Sequence, residues 1–71
     1  MTDKDVEITV NGKPHSVRVG TTVAQLVERL GLERGQIAVE CNREVIVRAD
    51  YEVVTLTAGD RLEVVAFVGG G

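Results

Sequence analysis

Residues 20–32, GTTVAQLVERLGL, are the one stretch of the chain whose apolar residues recur at helical spacing, and the stretch is short. Val23, Leu26, Val27 and Leu30 fall at i, i+3, i+4 and i+7, while Gln25, Glu28 and Arg29 take the opposite face. Thr21 or Thr22 suits the N-cap, and Gly31 suits a left-handed C-terminal cap with Leu32 folding back on the last turn. The spacing predicts about two and a half turns. A helix of that length is not stable alone in water, so it must lie on something. What the rest of the chain offers is strands.

Val6, Ile8 and Val10 alternate with polar residues, and Val17 and Val19 do so again after Asn11-Gly12. Asn-Gly is the strongest short hairpin signal, because a type I′ turn needs positive φ at both central residues. The pattern predicts a hairpin from about Asp5 to Val19, with Pro14 at an edge or in the turn because it cannot donate to a ladder. After the helix, Ile37, Val39 and Cys41 alternate with Ala38 and Glu40; Asn42-Arg43 reads as a turn and Glu44 to Val47 as a short return strand. From Arg48 to Thr57 the pattern is irregular, with Leu56 its best core candidate. Gly59-Asp60 marks a turn, and RLEVVAFV reads as a last strand with Leu62, Val64, Ala66 and Val68 on one face. The element order is β-β-α-β-(β)-β, an α+β domain with one helix across a mixed sheet of four to five strands.

With 71 residues, the chain makes one small domain with little room for an enclosed cavity. Its net charge of −3 and its two aromatic residues, Tyr51 and Phe67, argue against nucleic acid as a partner. The single cysteine rules out an internal disulfide, and no Cys/His cluster suggests a metal. No apolar stretch approaches the ~20 residues of a membrane span, and no leader-like segment opens the chain. The expectation is a cytoplasmic domain. Cys41, on the inward side of its strand, reads as a small core hydrophobe, and His15 as solvated surface.

The chain closes on Gly69, Gly70 and Gly71. Composition alone leaves two readings, a frayed end or a working arm. Three extended residues reach roughly 10 Å. Without Cβ atoms such an arm fits a narrow channel and takes any bend. Val65 and Phe67 alternate away from the core face of the last strand. Either the domain's own loops cover them, or they form an apolar docking patch beside the tail, which Val68, Ala38 and Glu40 extend. We favour docking.

Four segments, ITVNGKPHSV, TTVAQLVERLGL, VECNREVIVR and above all GDRLEVVAFVGGG, make nearly the whole chain resemble the ThiS family of sulfur carrier proteins of thiamine biosynthesis. The middle segment departs slightly, since family members often have proline where Val47 stands, before the arginine matching Arg48. The resemblance implies a ubiquitin-like β-grasp, with the last strand paired to the first. It divides the chain into a domain over 1–68 and a flexible tail over 69–71. It also implies a carrier and not an enzyme, with no bound cofactor or metal and a monomeric free state.

The expected chemistry runs through the Gly71 carboxyl. A ThiF-type enzyme spends ATP to adenylate it, sulfur from a donor such as a cysteine desulfurase replaces AMP, and a ThiG-type thiazole synthase takes the sulfur for the thiazole ring. The chain has no phosphate-cradling glycine loop followed by Lys and Ser/Thr, so activation belongs to a partner. The alternatives that stay open are a molybdopterin synthase small subunit, a carrier for tRNA thiolation or protein modifier of ubiquitin type, and a ubiquitin-like interaction module.

Overall fold

The computed structural model describes residues 4–67. The first hairpin forms as the Asn-Gly signal requires, from β1 (Asp5–Val10) and β2 (Lys13–Arg18). Asn11 and Gly12 both adopt positive φ, at 52° and 83°. The helix α1 (Val23–Arg29) lies next, followed by a single 3-10 turn, then β3 (Ile37–Cys41), β4 (Glu44–Ile46), a second 3-10 turn over Arg48–Asp50, and β5 (Arg61–Ala66). The strands form one sheet in the order β2-β1-β5-β3-β4. The first and last strands meet in parallel at its centre, and the other pairings are antiparallel. This is the β-grasp topology. Pro14 lies on the edge strand β2, where its missing N–H costs no central ladder bond.

The helix is seven residues, shorter than the periodicity suggests, because both its ends are closed early. Thr22 caps it, and Gln25 returns the bond to the Thr22 backbone, a reciprocal capping box. At the other end Gly31 and Leu32 donate to the carbonyls of Glu28 and Val27, a Schellman closure for which Gly31 takes φ 75°. Val23, Ala24, Leu26 and Val27 are buried under the sheet's inner face, where Ile8, Val10, Val17, Ile37, Val39, Leu62 and Val64 meet them. Leu56 joins this core as expected.

Several expectations change. Tyr51 is the largest fully buried side chain, at 2% exposure, although it comes from the irregular segment. A helical turn there feeds its carbonyl to the Ala24 N–H and ties the segment to the start of α1. The return strand ends at Ile46, one residue early. His15 is half-buried and not fully solvated, since it shares the inward parity of Val17 at the sheet margin. Ala66 has the parity of Leu62 and Val64 and yet is exposed, so the core layer stops short of the end of β5. Val68, expected on the same face, lies outside the described residues.

Candidate functional site

The approach to the tail is β5, and its position follows from what grips it on each side. On one side it pairs with β3 over five residues, from Cys41 opposite Leu62 to Ile37 opposite Ala66. The Phe67 N–H continues the contact by donating to the Gln36 carbonyl at 2.8 Å. On the other side the ladder with β1 is short, with Thr9 and Val10 opposite Arg61 and Leu62. Where β1 turns away, the Asn11 side chain takes over. Its Oδ1 accepts from the Val64 N–H at 2.8 Å, and its Nδ2 donates to the Val64 carbonyl at 3.1 Å. An amide side chain thus does the work of a peptide group beyond the end of the strand.

The second hairpin tip uses the same residue type. Asn42, at φ 54°, accepts from the Arg61 N–H through Oδ1 and donates through Nδ2 to Asp60. Asp60 is buried and accepts further from the Thr57 N–H and hydroxyl, so the turn into β5 is fully bonded. The last strand therefore leaves the turn in a fixed direction.

Its outward face is bare. Val65 and Phe67 are 57% and 56% exposed, so among the described residues no loop covers more than half of either. Ala38, half-buried, stands opposite Val65, and Glu40 stands opposite Glu63. Val45, across β4 from Glu40, closes the far side of a shallow depression of about 430 Å³. Ala38 is the small residue that makes the hollow. Val45 and Glu63 escaped the sequence reading; the two-residue turn Asn42-Arg43 fixes the register that brings Val45 beside Glu40, and carried that signal. The sequence marks Asn11 only as a turn former. Gly69, Gly70, Gly71 and Val68 lie outside the described residues.

Cys41 is half-buried against the core, and its thiol is pushed up from the ordinary range, first by burial and then by the Asp60 carboxylate. That suppresses the thiolate a sulfur relay would need. Among the described residues no group of three or more His, Cys, Asp or Glu could hold a metal ion. No helix among them is long and apolar enough to cross a membrane.

The arrangement is that of a small domain presenting a fixed strand and an open sheet face. The ThiS family model matches residues 7–71. A thiazole synthase of Magnetococcus marinus is 42% identical over 66 residues, 93% of this chain; the chain spans only 20% of the length of that protein. The sulfur carrier protein ThiS of Bacillus subtilis is 37% identical over 65 residues, 90% of this chain and 98% of the carrier. The crystal structure of a thiamine biosynthesis protein, ThiS, from Geobacter metallireducens superposes with a TM-score of 0.79 at 35% identity, over 93% of this chain and 100% of the other. On the family match, and on a carrier and a solved fold matched along their full lengths, the chain belongs to the ThiS family.

Proposed function

We propose that the chain carries sulfur for thiazole formation in thiamine biosynthesis, as a thiocarboxylate on Gly71. The observation that supports this best is a family match running through Gly71 on a fold whose last strand is rigidly held and whose outward face is open.

The chemistry follows from what a carboxylate lacks. Its charge is delocalised, so it resists attack. In the proposed first step the Gly71 carboxylate attacks the α-phosphorus of ATP within a ThiF-type enzyme, and pyrophosphate leaves. A sulfur nucleophile, supplied by a cysteine desulfurase or an equivalent donor, then attacks the acyl carbon of the adenylate. AMP departs with the bonding electron pair. Attack by sulfide leaves the thiocarboxylate directly, whereas attack by a desulfurase persulfide leaves an acyl disulfide, whose S–S bond a thiol reductant cleaves to give the thiocarboxylate and a mixed disulfide. A ThiG-type thiazole synthase accepts that sulfur. That a thiazole synthase contains a stretch similar to this chain supports the acceptor, since fusion keeps donor and acceptor at high effective concentration.

In this reading Val65, Phe67, Val68, Ala38 and Glu40 dock the partner, and Gly69 to Gly71 thread into its site. The test is intact mass after incubation with ATP, sulfide and a ThiF-type enzyme. The full chain should gain the difference between one sulfur and one oxygen, and a chain lacking Gly71 should gain nothing while melting as before. An unchanged mass for the full chain, or an equal gain without Gly71, defeats the proposal.

A further inference from the structure

The two sides of β5 are unequally served at its C-terminal end. Arg61 and Phe67 direct backbone groups toward β3, since the Arg61 carbonyl accepts from Asn42 N–H and the Phe67 N–H donates to Gln36. Leu62 and Val64 direct theirs the other way, to the backbone and side chain of Asn11. Backbone groups alternate along a strand, so Ala66 also faces the Asn11 side. There β1 has already turned back into β2. Among the described residues no backbone group is bonded to the Ala66 N–H or C=O on that side. Asn11 is the last rung of the ladder, and Ala66 is the first without one.

The inner face is unfinished at the same point. Ala66 has core parity and is exposed, while Val64, one rung earlier, is buried. An open hydrogen-bonding edge and an uncovered apolar layer coincide at one residue, directly before the tail.

We propose that an extended strand of the protein that receives the tail adds to β5 here. It would continue the track of β1 beyond the Asn11-Gly12 tip, exchange hydrogen bonds with Ala66, and turn an apolar side chain inward over the exposed Ala66 methyl. The occupant is specified by the edge: a main-chain donor and acceptor at strand spacing give affinity, and alternate side chains give specificity. A helix or a loop without free N–H groups does not satisfy it. The added strand would hold the tail straight as it enters the partner's site. The inference rests on the carrier reading, because the partner is the ThiF-type enzyme that loads Gly71.

Residue-resolved amide exchange on the full chain, free and saturated with a ThiF-type enzyme, tests it. In the free chain the Ala66 amide should exchange quickly and the Val64 amide slowly. In the complex Ala66 should slow at least tenfold, about the effect of one added backbone bond. Ala66→Pro removes an N–H that has no partner among the described residues, and should weaken binding about tenfold with little change in melting temperature. Ala66→Ser keeps the N–H and should bind more tightly than Ala66→Pro. A loaded, saturated complex in which Ala66 still exchanges freely, or Ala66→Pro bound as tightly as Ala66→Ser, overturns the added strand and leaves the carrier reading standing. Failure to form a complex and an adduct with that enzyme overturns both.

Discussion

Glu40 and Glu63 are direct cross-strand partners on the open face of the sheet, both exposed. Among the described residues the one ion pair within 4 Å is Arg34 with Glu52, at 3.3 Å, so neither carboxylate is neutralised by a close cation. Like charges directly opposite one another are unfavourable. A domain selected for stability alone would pair one of them with lysine. The cost is borne on the face that the carrier reading assigns to a partner.

Glu63→Gln should therefore stabilise the isolated domain, by about 0.5 kcal/mol. The gain should shrink as salt rises, because screening already weakens the repulsion in the parent. Urea midpoints at low and high ionic strength measure both effects. No gain at low salt would mean that the repulsion is relieved within the domain.

The grip of Asn11 on Val64 makes a second prediction. Asn11→Gly keeps the positive φ and loses only the two side-chain bonds, and should cost about 1–3 kcal/mol. Asn11→Ala adds the strain of a left-handed backbone and should cost more. Denaturant melts give the magnitudes, and the Val64 amide should exchange faster in both variants. An unchanged Val64 amide in Asn11→Gly would mean that the side chain does not hold β5.

Much of this fold could be read from local chemistry. Asn11-Gly12 set the first hairpin, Asn42-Arg43 the second, and Thr22 with Gly31 the limits of α1. Those signals lie within a few residues of what they determine. The residues that escaped work over long separations. Tyr51 is buried because a 3-10 turn swings it under the helix, and no period in its neighbours announces that. Asn11 bonds to Val64 across 53 positions, and Asn42 reaches Arg61 across 19. Turn asparagines look alike in sequence whether or not their side chains reach a third strand. The outward parity of Val65 and Phe67 was legible from strand alternation, but that no loop covers them depends on where the long connection from β4 to β5 runs.

Cys41 should behave as a packing residue. With its thiol pushed up by burial and by Asp60, it should be alkylated at pH 8 several-fold more slowly than a free cysteine. The folded state holds that proton more tightly than the unfolded chain. Its contribution to stability is therefore full below the ordinary thiol range and is lost as pH rises past the unperturbed value of 9.0. Cys41→Ala should lower stability by about 1 kcal/mol, remove this alkaline loss, and leave sulfur loading of Gly71 unchanged. A loading defect in a folded Cys41→Ala would make the thiol part of the sulfur path.

Phe67 offers the sharpest separation of surface from core. More than half of it is exposed, and its backbone N–H bond to Gln36 does not depend on the side chain. Phe67→Asp should change stability by no more than about 0.5 kcal/mol, as exposed substitutions do. If the side chain anchors the partner, loading should fall at least tenfold, the effect of losing one interface anchor of about 1.4 kcal/mol. Tyr51→Ala provides the contrast, since emptying a fully buried aromatic site should cost about 3–5 kcal/mol and unfold much of the population. Thermal melts paired with intact-mass loading rates distinguish the two kinds of loss. A Phe67→Asp chain that melts like Tyr51→Ala would place Phe67 in the core, and one that loads at the parental rate would move the docking site off this face.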